Sequence, residues 1–143
     1  MLSKILSSAT YGIDAYIVEV ETHVENQVPS FTIVGLPDNA VKESRERVTA
    51  AIKNSGYEFP RKKITINLAP ADIKKEGSSF DLPIAVGILS AIEIIKQDNI
   101  HDYVFLGELS LDGLLRPIKG ALPISVEARK YGIKKIVLPK ESA

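Results

Sequence analysis

Lys75-Glu76-Gly77-Ser78-Ser79-Phe80-Asp81-Leu82-Pro83-Ile84-Ala85 is the stretch on which the reading of this chain turns. A glycine and two serines run into a long apolar segment, with Asp81 as the expected helix cap and Pro83 in the first turn, where its missing N–H does little harm. The apolar residues Leu82, Ile84, Ala85, Val86, Ile88, Leu89, Ile92 and Ile95 surround the helix axis instead of forming one stripe. Such a helix is expected to be buried on nearly all sides. Ser79 sits where a serine nucleophile could be presented, but a serine hydroxyl is a poor nucleophile until a neighbouring group takes its proton. The identity of that neighbour decides between an enzyme and a silent descendant of one.

Working outward, residues Ala15 to Glu21 and Ser30 to Val34 are rich in β-branched and aromatic side chains and read as neighbouring antiparallel strands. Gly35-Leu36-Pro37-Asp38 breaks the second of these and offers Asp38 as a cap for a helix with Val41, Val48, Ala51 and Ile52 on one face. That helix is expected to stop at Asn54-Ser55-Gly56. Lys63 to Leu68 alternates polar and apolar, as a half-buried strand does. Val104 to Leu109 and Leu114 to Arg116 flank Leu111-Asp112-Gly113, a hairpin signal. A third helix is expected from about Ala121 to Tyr131, and a strand from Lys135 to Leu138. Hairpins alternating with single helices imply an α+β or mixed α/β class.

A chain of 143 residues is the size of one domain. Eighteen basic and eighteen acidic residues cancel, so any contact with nucleic acid must be local. With no cysteine, thiolate metal sites and disulfides are excluded. His23 and His101 lie far apart and read as ordinary strand or loop residues, since a metal site needs more ligands together. None of the nine glycines opens Gly-x-x-x-x-Gly-Lys-Ser/Thr, so no phosphate loop is present in this sequence. Nothing resembles a secretion signal, and no apolar run approaches the roughly 20 residues that cross a bilayer. The expectation is a soluble, cytoplasmic protein with no membrane contact.

Three segments resemble the Lon-protease catalytic domain, of the ribosomal protein S5 domain 2-like superfamily. Lys75-Glu76-Gly77-Ser78-Ser79-Phe80-Asp81 resembles the Lys-Asp-Gly-Pro-Ser-Ala-Gly around the Lon nucleophile. Gly107-Glu108-Leu109-Ser110-Leu111-Asp112-Gly113 is similar to the Lon hairpin, and Gly132-Ile133-Lys134-Lys135-Ile136-Val137-Leu138-Pro139 to its closing strand. A non-proteolytic branch matches more closely. Leu36-Pro37-Asp38, Val41 to Val48, Ile66-Asn67-Leu68-Ala69-Pro70-Ala71-Asp72-Ile73 and Phe80 to Ala85 resemble the amino-terminal domain of the ComM/YifB proteins, the magnesium-chelatase-like AAA+ ATPases.

The resemblance implies a single Lon-like domain over residues 1–143, an α+β sandwich of the S5 domain 2-like type with a mixed sheet and about three helices. It implies a fragment of a longer AAA+ protein, whose ATP and magnesium lie outside this chain, with no cofactor or metal held here. It further implies a hexameric ring acting on branched DNA in natural transformation, with this domain organising the ring beside its own AAA+ module and neighbouring subunits, or guiding DNA.

Carried over residue by residue, the catalytic lysine of Lon falls on Ile124, which accepts no proton; Ser79 is then a vestigial nucleophile. Lys119, Lys74 or Lys75 is an alternative base only within roughly 3 Å of the hydroxyl and after burial has lowered its pKa. The plainer role for Ser78, Ser79 and Asp81 is to cap the central helix. From Asp38 to Lys63 seven bases face four acids. Lys42, Arg45 and Arg47, expected on the polar side of the first helix, and Arg61-Lys62-Lys63 are candidates for contact with DNA or a neighbouring subunit. The plain alternative is a solvated face with pairs such as Glu43 and Arg47. A serine peptidase with an atypical base and a simple protein-interaction module remain the competing classes.

Overall fold

A computed structural model describes residues 1–11, 14–75, 78–96, 100–116, 121–130, 133 and 135–137. Leu2–Tyr11 (β1) and Asp14–Glu25 (β2) pair antiparallel in a long ladder from Leu2 opposite His23 to Tyr11 opposite Asp14. The sequence reading found β2 from Ala15 to Glu21, without its last four residues, and missed β1, whose Ser-Ser-Ala-Thr run lacks the bulky β-branched signature of a strand. Ser30–Val34 (β3) and Lys63–Ala69 (β4) follow, with Asp38–Asn54 (α1) between them. Contrary to the expectation from sequence, strand β3 does not neighbour β2. It pairs parallel with β4, and β4 lies between it and β2. The β3-α1-β4 connection is thus a crossover carried by a helix, which parallel pairing requires.

Asp81–Ala91 (α2), Tyr103–Phe105 (β5), Glu108–Leu109 (β6), Leu115–Arg116 (β7), Ala121–Lys130 (α3) and Lys135–Val137 (β8) complete the described elements, with a short 3₁₀ turn at Ile100–Asp102. The main sheet runs β3-β4-β2-β1-β5-β8 and mixes parallel and antiparallel pairs. The expected hairpin exists only as β6-β7, around Asp112-Gly113; Val104 to Leu109 divides at Leu106-Gly107, its first half joining the main sheet. The expected end of the closing strand, Leu138, lies outside the described residues, as do Tyr131 and Gly132.

Successive strand residues face opposite ways, and two cores result. Ile5, Val18, Val20, Val24, Ile64, Ile66 and Leu68 pack with Val48, Ala51 and Ile52 of α1 and with α2. On the opposite face Leu6 and Ile17 meet Ala15, Val104, Leu106 and the α3 residues Ile124 and Ala128. Nine of the eleven α2 residues are buried, Asp81 among them, as the all-round apolar pattern required. Fully burying each aliphatic side chain contributes roughly 1.5–3 kcal/mol, so α2 is the centre of the first core. It ends at Ala91, before Ile92 and Ile95, and Glu93 then adopts a left-handed φ of 65°.

Two caps differ from the sequence reading. The cap residue of α1 is Pro37 and that of α2 is Phe80, and neither helix start has a side-chain cap bond. Asp38 and Asp81 instead occupy the first helical position, where a carboxylate is still favoured by the helix dipole.

Candidate functional site

Asp81 is fully buried, and its carboxylate is the hub of the region that the sequence marks. Ser44 Oγ donates to Oδ1 over 2.7 Å, Arg47 Nε to Oδ2 over 2.6 Å and Arg47 Nη2 to Oδ1 over 3.2 Å. The backbone N–H of Leu109 adds a fourth bond to Oδ2 at 3.1 Å. One carboxylate therefore joins α1, the start of α2 and the β6-β7 hairpin. Burial pushes the Asp81 carboxyl above its ordinary range, and the bonds from Arg47, Ser44 and Leu109 pull against that rise. The bond to Asp81 in turn raises Arg47, against its own desolvation. Arg47 does not project from the polar side of α1. It turns inward, and Glu43, its expected partner, is only a second contact at 3.9 Å.

Ser79 is half-buried beside this hub, held through its backbone: the Gly107 N–H donates to the Ser79 carbonyl over 2.7 Å, and the Leu82 N–H to the Gly107 carbonyl over 3.0 Å. Leu106, next to Gly107, packs in the second core with Ile124, which is 2% exposed. Thus Ser79 and Ile124 are linked through the Leu106-Gly107 segment between β5 and β6. Ser78, Ser79 and Asp81 do not cap α2 through their side chains.

Of the alternative bases, Lys75 is buried and its Nζ donates to the carbonyls of Pro70 and, at 2.7 Å, Ile73. Burial pushes the Lys75 ammonium below its ordinary value, with Asp72 opposing. Both of these bonds direct its N–H groups to backbone oxygens. Lys74 is exposed, and Lys119 lies outside the described residues.

The basic candidates separate. Lys42 and Arg45 are exposed on α1, with Arg45 Nη1 donating to the Phe31 carbonyl on β3 at 3.1 Å. Lys63 lies 4.0 Å from Glu25 on the neighbouring strand β2. Arg61 and Lys62 line an open groove of about 1340 Å³ with Lys53, Tyr57 and Phe59. Sequence reasoning passed over Lys53 and Tyr57 because neither belongs to a charge cluster; the signal available was the helix stop at Gly56, one residue before the tyrosine. Among the described residues no group of three His, Asp or Glu is placed to hold a metal ion, and no helix is long and apolar enough to cross a membrane.

Residues 20–142 match the protein family described as subunit ChlI of Mg-chelatase. The chain belongs to that family. Within reach of this ChlI-type chain are YifB of Salmonella typhimurium, 48% identical over 142 residues, and competence protein ComM of Haemophilus influenzae, 42% identical over 142 residues. Each alignment covers 99% of the chain and 28% of the relative, so the chain spans little more than a quarter of the length of these proteins. Lon protease 2 of Bacillus subtilis is 37% identical over 101 residues, 71% of this chain and 18% of that protein. The Lon resemblance read from the serine, hairpin and closing segments is therefore matched by a Lon relative. The coarse architecture is α+β with a mixed sheet and, among the described residues, three α-helices.

Proposed function

We propose that this chain is a catalytically silent Lon-like accessory domain, of the S5 domain 2-like fold, within a magnesium-chelatase-like AAA+ ATPase. The reading is carried by Ile124, the residue onto which the Lon lysine falls when the resemblance is carried over, whose aliphatic side chain is sealed in the second core. An isoleucine accepts no proton, and a serine hydroxyl is a poor nucleophile until a neighbouring group does so. The described surroundings of Ser79 serve construction instead, since the buried Asp81 carboxylate is consumed by Ser44, Arg47 and Leu109.

In this reading the domain organises a ring of subunits or contacts DNA during recombination in natural transformation, in the cytoplasm. ATP and magnesium act in an ATPase module beyond residue 143. Family membership supports the setting, as does the competence name borne by the Haemophilus influenzae relative. Salt-sensitive DNA binding that weakens on neutralising Arg61, Lys62 and Lys63 tests the DNA role; binding indifferent to salt overturns it in favour of a protein-interaction module.

The competing peptidase reading has one observation in its favour, the burial-lowered ammonium of Lys75. A fluorophosphonate probe decides between them. The silent domain stays unlabelled, whereas labelling abolished by Ser79→Ala, accompanied by peptide cleavage, overturns the proposal.

A further inference from the structure

The C-terminus of α1 builds the floor of the groove. The Gly56 N–H donates to the Lys53 carbonyl over 3.1 Å and the Tyr57 N–H to the Ile52 carbonyl over 3.2 Å, with Gly56 left-handed at φ 93°. This pair of bonds is a Schellman cap. It fixes the backbone of both Lys53 and Tyr57, yet Tyr57 keeps 44% of its surface in solvent. Beside it Phe31 and Phe59 stack at 5.5 Å between ring centroids, tilted 33°, and Arg61 and Lys62 line the same wall.

Three cations thus face the groove against one acid, Glu58. Among the described residues none of Lys53, Arg61 and Lys62 forms an ion pair, while neighbouring Lys63 has Glu25. A rigidly placed, exposed ring flanked by unpaired cations suits a ligand that offers flat faces and regular negative charge together. An acidic peptide supplies the charge without the faces. A duplex keeps its base faces stacked internally and offers none to Tyr57. A single strand supplies both, as stacking platforms with basic walls do elsewhere.

We propose that this groove binds single-stranded nucleic acid without sequence preference, a base stacking on Tyr57 and phosphates meeting Lys53, Arg61 and Lys62. The inference rests on the DNA-contact reading above and names its site and strand form. It is tested by titrating the protein with a fluorescein-labelled oligothymidylate, using blunt duplex DNA and polyglutamate as competitors. Tyr57→Ala is expected to weaken binding roughly tenfold, with Tyr57→Phe retaining it. Replacing Lys53, Arg61 and Lys62 by alanine is expected to flatten the dependence of log K on log salt by about two, near 0.7 for each phosphate contact. Lys53, Tyr57 and Arg61 are exposed and Lys62 is half-buried, and thermal unfolding of each variant checks that the fold persists. Binding that survives the groove variants but falls when Lys42 and Arg45 are replaced overturns the groove and leaves DNA contact standing. Absence of any oligothymidylate binding overturns both. Equal competition by polyglutamate, with no effect of Tyr57→Ala, overturns the proposal in favour of an acidic protein segment.

Discussion

Arg47 Nε lies 2.6 Å from Asp81 Oδ2, and this contact links residues 34 apart in sequence at the point where α1, α2 and the β6-β7 hairpin converge. The arginine side chain is one-fifth exposed and the aspartate one per cent, so most of the desolvation falls on the carboxylate. The two partners are consequently unequal under substitution.

Arg47→Met strands a buried carboxylate and is expected to destabilise the fold by about 3 kcal/mol at neutral pH. Asp81→Asn, whose one carbonyl oxygen can still accept from the Leu109 N–H while its amide donates to the Ser44 hydroxyl, leaves only a partly solvated guanidinium and is expected to be milder. Urea unfolding of both variants and of the double variant measures the difference and the coupling.

Removing Arg47 also deletes the strongest influence holding the Asp81 pKa down, so an already raised folded pKa rises further above the unfolded value. A carboxyl in that position binds its proton more tightly when folded, and stability falls as pH climbs from the unfolded value near 3.9 through the folded one. The Arg47→Met deficit is therefore expected to shrink on acidification towards pH 4. Unfolding midpoints across that range, compared with Asp81→Asn, which lacks the titration, provide the check.

Gly87 packs α2 against the β1-β2 ladder. A methyl group there meets Thr22 Oγ1 at 2.5 Å, and Ser3 Oγ already donates to the Gly87 carbonyl over 2.8 Å. An ordinary helix gains up to about 1 kcal/mol from glycine to alanine. Gly87→Ala is expected instead to lose about 1–3 kcal/mol through overpacking, and Thr22→Ala in the same chain to restore part of it. Thermal unfolding of the single and paired variants measures both.

Ser79 and Ile124 should differ in their response to truncation. Ser79 Oγ has no hydrogen-bond partner among the described residues and the residue is half-buried, so Ser79→Ala is expected to change stability by less than about 0.5 kcal/mol. Ile124→Ala opens a cavity in the second core and is expected to cost about 2–5 kcal/mol. Equal losses at both positions, seen in denaturant unfolding, would contradict a purely structural role for Ile124 beside an idle serine.

Local periodicity was enough to find β3, β4, the Gly56 stop of α1 and the all-round burial of α2, because each is written in side chains a few residues apart. Strand β1 escaped notice because its inward positions include Ser3 and Ser7, small polar residues; Ser3 is satisfied there only because α2 brings the Gly87 carbonyl within reach. The antiparallel β2-β3 pairing was expected from the short loop between them. A helical crossover instead lets β4 insert, a choice made by contacts far apart in the chain.

By itself the sequence determined family and the α+β composition of elements, since these depend on residue identity and short-range spacing. Tertiary structure alone decided that Asp81 answers to Arg47 instead of capping its helix, and that Tyr57 stands among Lys53, Arg61 and Lys62. A carboxylate takes the partner that best repays its desolvation, and which partner is within reach is known only after the helices have packed.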